Sequence, residues 1–209
     1  PTRRSSDLTD PTASNPVTIN VESIGDVPVP DVLVVTDEAD DCDANPTVAF
    51  VSEVSDGNTC PETITRTYSV TDASGNSINV DQLIIVNDVT PPTASNPAPI
   101  AVECTGDVPA PDVLIVTDEA DNSSIPVVAF VSDVSDGNSN PEVITRTYSV
   151  TDDCGNAIML TQIITVEDVT APIISNCPTD ITQAADAAGC VTNVSWTEPT
   201  ATDNCSASP

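Results

Sequence analysis

The chain has 209 residues, in which 33 Asp and Glu stand against 4 Lys and Arg with no histidine, for a formal net charge of −29. Such a polyanion is a poor partner for nucleic acid or for an anionic membrane, since both require a cationic surface, whereas divalent cations suit it well. Hydrophobic residues still make up 39% of the chain; they are rich in Val and Ile and grouped into strand-length runs, which favours packed sheets over disorder.

Residues 1–8 hold two of the four arginines and match no other part of the chain, so they read as a non-native or linker segment. From Thr12 the chain repeats itself. TASNP at Thr12–Pro16 returns at Thr93–Pro97, and GDVPVPDVLVVTDEAD at Gly25–Asp40 returns as GDVPAPDVLIVTDEAD at Gly106–Asp121, both at an offset of 81. VAFVSEVSDGNTCPETITRTYSVTD at Val48–Asp72 returns at Val128–Asp152 at an offset of 80, changed only at Glu53/Asp133, Thr59/Ser139, Cys60/Asn140 and Thr63/Val143. One residue is therefore lost between Asp43 and Val48. That segment must be a loop, because a one-residue slip in a strand would turn every later side chain to the wrong face. DVTPPTASN at Asp88–Asn96 is echoed by DVTAPIISN from Asp168, which opens a third copy that stops at Pro209. The chain thus reads as a window on a longer array, with repeats at 9–88 and 89–168 and the first part of a third at 169–209.

Within the first repeat, strand-length runs bounded by Gly, Pro, Asn and Asp clusters lie at Val17–Glu22, Val32–Thr36, Val48–Val54, Thr63–Thr71 and Ser77–Asn87. No window sustains a helical period. The spacing predicts an all-β fold of tandem immunoglobulin-like β-sandwich modules of about 80 residues joined end to end, with about seven short strands each. In ITRTYSV, Ile64, Tyr68 and Val70 share the face expected to be core, and Tyr148 repeats Tyr68. Strict alternation puts Arg66, and Arg146 after it, on that same face. A guanidinium there must meet a carboxylate or several carbonyls, unless it reaches solvent at the rim. Along Ser77–Asn87 the even positions Ile78, Val80, Ile84 and Val86 point inward. Leu83 and Ile85 are then left outside, as a contact with a neighbouring subunit, as an ordinary exposed pair, or with their parity reversed by a bulge at Gln82.

Aromatic residues make up 2% of the chain, so each small core is built of Val, Ile and Leu and calls for staples. Cys42 and Cys60 align with Ser123 and Asn140 of the second repeat, while Cys104 and Cys154 align with Ser23 and Ser74 of the first. Two cysteines that come and go together within one fold are most simply bonded to each other. This predicts Cys42 with Cys60 and Cys104 with Cys154, and leaves Cys177 with Cys190. Cys205 aligns with Cys42, so its partner is expected beyond Pro209. Closing such loops stabilises by roughly 3 to 4 kcal/mol each on the chain-entropy estimate, and disulfides in every module imply an oxidising, extracellular location.

The segment ISNCPTDITQAADAAGCVTNVSWTEPTATDNC from Ile174 resembles the hyalin-repeat (HYR) domain in its NCP opening, its AGC, its V-x-W strand and its A-x-DNC loop. YSVTDASGN at Tyr68–Asn76, YSVTDDCGN at Tyr148–Asn156 and the DVTPP-type junctions make the two full repeats similar to related Ig-like repeats of large bacterial surface proteins. The resemblance implies extracellular spacers, adhesin stalks or fibre subunits, and it carries no catalytic residues.

Without histidine, a Ser/His/Asp or Cys/His device is impossible. The carboxylate pairs sit in repeated, sequence-local loops, which suits a structural role better than a glycosidase dyad. The expectation is a protein that is not an enzyme. Asp37, Glu38 and Asp40 recur as Asp118, Glu119 and Asp121, and Asp88 and Asp168 stand at the handover between repeats. Clustered hard oxygens are what Ca²⁺ requires, and a cation there would stiffen an array; the alternative is a solvated acidic surface. Asn122 and Asn193, and Asn204 in NCS, fit the N-glycosylation triplet. The sequence points first to a structural protein, an extracellular fibre, filament or cell-surface stalk that associates with copies of itself. An adhesin module holding a glycan or protein ligand is the second reading, and a spacer for an enzyme elsewhere on the polypeptide the third.

Overall fold

The computed structural model describes residues 8–185, 187–189 and 192–206. Among these the protein is almost wholly β, with ten strands in three sheets, no barrel, and four short 3-10 turns as its only helical structure. The first sheet holds β1 (Ile19–Val21), β2 (Thr47–Ser55), β3 (Glu62–Thr71) and β4 (Ser77–Val86) in the order β1-β4-β3-β2. The second holds β5 (Ile100–Val102), β6 (Val127–Ser135), β7 (Glu142–Thr151) and β8 (Ala157–Val166) in the matching order β5-β8-β7-β6. A small sheet pairs β9 (Ile173–Ser175) with β10 (Thr200–Thr202).

In the first sheet β3 and β4 run antiparallel in unbroken register from Glu62↔Val86 to Thr71↔Ser77, and β1 lies parallel to the end of β4. The alternation read from the sequence holds along both. Ile64, Tyr68, Val70, Val80, Ile84 and Val86 are buried, while Leu83 is exposed. No bulge interrupts the pairing at Gln82, which is buried opposite Arg66 and donates through Nε2 to Val17 O. The break in register lies in β2, between Phe50 and Ser52. There an edge strand can absorb an extra residue without disturbing two neighbours.

The layer covering this face is mostly irregular. Val32–Thr36 does not form the expected strand: Val32–Val34 is a 3-10 turn, with the Asp31 side chain accepting from Leu33 N, and only Val35 of the run is buried. Pro28 and Pro30 explain the difference, because they remove the N–H groups a ladder needs and Asp31 then offers the backbone a local partner. A second 3-10 turn, Ile24–Asp26, is capped by Ser23, and an isolated antiparallel bridge joins Thr12 to Ala39. Four strands and this bridge are therefore what the first repeat shows, fewer than the seven read from turn spacing.

Two apolar clusters fill the first repeat. Val35, Tyr68, Val70 and Val80 form one, and Ile64, Ile84 and Val86 form the other with Ile19, Val21 and Val27. Between them in strand order sits Arg66, 2% exposed, whose Nε donates to Glu53 Oε2 at 2.6 Å and whose Nη2 donates to Pro28 O at 2.8 Å. Arg146 repeats this with Asp133, whose two oxygens each lie 2.8 Å from the guanidinium, and with Pro109 O. Hydrogen bonding to Asp133 pushes Arg146 further above its ordinary pKa. Each buried guanidinium is thus paired and bonded to a carbonyl, the arrangement a desolvated cation requires.

The β3–β4 turn explains the TDxxGN motif. Asp72 Oδ1 accepts from Ser74 N and Asn76 N, Oδ2 accepts from Asn76 Nδ2, and Gly75 takes φ +96° where a side chain would be strained. Asp152, Asn156 and Gly155 rebuild the same turn.

By contacts the chain forms two compact units. One holds the chain up to Ser95 with Thr117–Val128 and Ser149–Met159; the other holds Asn96–Val116, Ala129–Tyr148 and the chain from Leu160 onward. The first unit therefore takes in two segments of the second repeat, its acidic loop and its DDCGN turn. The sites described next lie within one unit or the other.

Candidate functional site: cross-links and acidic clusters

Among the described residues both disulfides run between repeats. In the first unit Cys60 is bonded to Cys154, and in the second Cys104 is bonded to Cys205. This corrects the pairing of Cys42 with Cys60 and of Cys104 with Cys154, and it gives Cys205 a partner within the chain. The loops span 94 and 101 residues, each longer than one repeat. Co-occurrence within a repeat misled because it cannot tell a pair inside one copy from two half-pairs shared with neighbours. Cys42 is exposed, as is Cys177; the pairing of Cys177 with Cys190 falls on a residue outside the described ones. Two disulfides fit an oxidising, extracellular environment. Among the described residues no helix is long and apolar enough to cross a membrane.

Around Cys60 and Cys154 the first unit has a cleft lined by Glu22, Ser23, Asp88, Ser123, Ser124 and Asp153. The corresponding cleft of the second unit is lined by Glu103, Cys104, Asn140, Asp168 and Cys205. The polar contacts match. Glu22 Oε2 accepts from Asn122 Nδ2 and from the Thr90 hydroxyl, and Glu103 Oε2 accepts from Asn204 Nδ2 at 2.6 Å and from the Thr170 hydroxyl at 2.7 Å. Where the first unit has Cys60, the second has Asn140, which holds the Asp168 backbone through two hydrogen bonds.

The residues read as calcium ligands separate into three groups. Asp37 and Asp118 turn away to accept from Ser14 N and Ser95 N; these bonds hold both carboxyls below the usual range, and both residues are exposed. Glu38 and Glu119 each enclose one carboxylate oxygen that has no hydrogen-bond partner. Asp88 and Asp121 are brought together with Asp152, a residue the sequence reading left out. Each of the three offers an oxygen within 4.8 Å of the others'. Asp168 is likewise brought to Asp203 and Cys205, though Cys205 is oxidised and offers no thiolate. Asp40 keeps the turn of Asp121, accepting from Cys42 N and Asp43 N through Oδ1 as Asp121 accepts from Ser123 N and Ser124 N. In both residues Oδ2 is enclosed without a partner.

Asp88 and Asp152 are 4% and 7% exposed. Ser123 Oγ donates to Asp88 Oδ2, and Asn156 Nδ2 bridges Asp152 Oδ2 and Asp88 O. Burial works to raise the Asp121 carboxyl, but hydrogen bonds from the Ser123 and Ser124 amides hold it below its ordinary value. Among the described residues both arginines are engaged elsewhere, Arg66 with Glu53 and Arg146 with Asp133.

The signal for Asp152 was present in the sequence, as the invariant Asp of both YSVTD runs, but its turn-forming role concealed its position. Asn122 and Asn193 are exposed, and Asn122 already donates to Glu22. The scan against family models finds no match for the chain, and the search of curated proteins finds none.

Proposed function

We propose that the chain is a structural segment of an extracellular fibre or cell-surface stalk, a tandem array of Ig-like β-sandwich modules akin to HYR repeats in which each module is cross-linked to the next. One observation carries this reading. Both disulfides span more than one repeat period, 94 and 101 residues, so each covalently joins neighbouring copies. A cross-link inside a module would stabilise that module; a cross-link between modules resists their separation, which is useful in a chain that carries load. Near-identity of the repeats supports the same reading, because ligand-binding loops would be expected to diverge between copies.

The edge strands β2 and β6 suit lateral association with further copies. Each lies at the end of its sheet and exposes aromatic and aliphatic side chains, Phe50, Val51 and Val54 in one and Phe130, Val131 and Val134 in the other. The charge of −29 opposes indiscriminate clumping. The reading assigns no catalysis.

Electron microscopy of the native material tests it. Uniform filaments with a module-length axial repeat, which fray or shorten when the disulfides are reduced to thiols, are the expected result. Isolated flexible strings unaffected by reduction would overturn it in favour of the adhesin.

A further inference from the structure

We propose that Asp88, Asp121 and Asp152 bind a divalent cation of the calcium type, and that this cation and the Cys60–Cys154 disulfide together lock the first repeat to the second. The proposal rests on the array reading in one respect, that Asp88 belongs to the first repeat while Asp121 and Asp152 belong to the next.

Three observations converge on it. The three carboxylates offer oxygens that all lie within 4.8 Å of one another, a spacing one ion can bridge after small side-chain adjustments. Two of the three residues are more than nine-tenths buried, so water does little to screen their repulsion. Asp121 Oδ2 is enclosed and has no hydrogen-bond donor, although its sister oxygen accepts from the Ser123 and Ser124 amides. A buried anionic oxygen without a donor is costly unless something cationic faces it, and the two arginines of the repeats are already paired with Glu53 and Asp133.

The donor set selects the ion. It is composed of carboxylates, with the Asp88 carbonyl and the Ser123 hydroxyl beside them. The sulfurs that line the same cleft as Asp88, Cys60 and Cys154, are oxidised, and the chain has no histidine. Hard oxygens in a loop-built, irregular arrangement suit Ca²⁺ better than ions that demand nitrogen or thiolate. Asp168 and Asp203 repeat the Asp88 and Asp121 positions in the second unit, so the arrangement belongs to the repeat and not to one accidental loop.

The test is calorimetric titration of the whole chain, stripped with chelator, with calcium chloride. The wild type is expected to show a saturable site that Asp121→Asn weakens about tenfold or more, while Asp10→Asn, at an exposed residue that is not one of the cluster, leaves it unchanged. Asparagine can keep the Asp121 turn, so a folded variant is expected. Melting curves supply the second readout: in chelator Asp121→Asn should melt at or above the wild-type temperature because repulsion is relieved, and in calcium it should melt below. Absence of saturable binding, equal affinity in Asp121→Asn, or a variant less stable than wild type in chelator would each overturn the proposal. Filament formation is scored separately by microscopy, so loss of the cation site and loss of the array reading are distinguishable.

Discussion

Replacing Cys60 and Cys154 together with serine opens a loop of 94 residues, and the consequence can be worked out. On the chain-entropy estimate a cross-link closing that length removes about 4.6 kcal/mol of freedom from the unfolded chain. At 2 to 4 °C per kcal/mol for a cooperative unit of two repeats, the melting temperature should fall by about 10 °C or more. Thermal unfolding followed by far-ultraviolet circular dichroism reads this directly. The same variant tests the connectivity through its thiols. With Cys104 bonded to Cys205, the double substitution leaves the number of titratable thiols as it is in the wild type. Pairing within repeats would instead orphan Cys42 and Cys104 and raise the count by two. Trypsin offers an independent check, because within the repeats the chain can be cut only after Arg66 and Arg146. Unreduced, the Cys60 fragment 5–66 should be joined to 147–209, and 67–146 should be joined to that same fragment through Cys104. A fragment 5–66 released free of the rest, or a melting temperature unmoved by the double substitution, would refute the reasoning.

Other expectations follow from the cores, turns and carboxylates. Asp133→Ala strips the Arg146 guanidinium of its carboxylate and should cost about 2 kcal/mol, read from urea unfolding; a cost near zero would mean that solvent reaches the arginine after all. Gly75→Ala forces a side chain into φ +96° and should cost about 1 to 2 kcal/mol, seen as a drop in the denaturation midpoint. Asp118 is held below its ordinary pKa by its hydrogen bonds from Ser95. The stabilisation this brings is therefore complete above the unfolded pKa of about 4 and fades as pH falls through the lower folded value. Wild type should accordingly be more stable than Asp118→Asn at pH 7, and the difference should shrink below about pH 4. A gap that widened in acid would contradict the assigned direction.

The strands were legible where side-chain alternation alone decides them. Glu62–Thr71 and Ser77–Val86 lie where the ITRTYSV and INVDQLIIV runs put them, because one face of each is covered and a period of two leaves no freedom. The run at Val32–Thr36 was not legible on that basis. Its apolar content reflects the burial of Val35, while its backbone follows Pro28, Pro30 and Asp31, and composition cannot separate those two demands. The candidate site divides in the same way. Asp88 and Asp121 stand out as repeated acids near a boundary. Asp152 does not, because a residue that builds a turn through one oxygen and a cluster through proximity shows only the first role in sequence. Nor could the cysteine pairing be read from co-occurrence, since neighbouring copies share their bonds.

Once the pairing is known, the pattern of substitutions becomes intelligible. Each joint offers two places for a cross-link. One is filled by Cys60 and Cys154 in the first unit, and the other by Cys104 and Cys205 in the second. The place left without sulfur in the first unit holds Ser23 and Ser123, the aligned counterparts of Cys104 and Cys205, and in the second unit Asn140 stands at the Cys60 position. These replacements remain bonded. Ser23 caps its 3-10 turn, Ser123 donates to Asp88, and Asn140 holds Asp168. Where one unit has a disulfide, the other has polar side chains at the aligned positions, and these hydrogen-bond in the vacated place. Each disulfide joins a cysteine of one sequence repeat to a cysteine of the following one, so it ties neighbouring repeats together where a bond within one copy would tie only that copy.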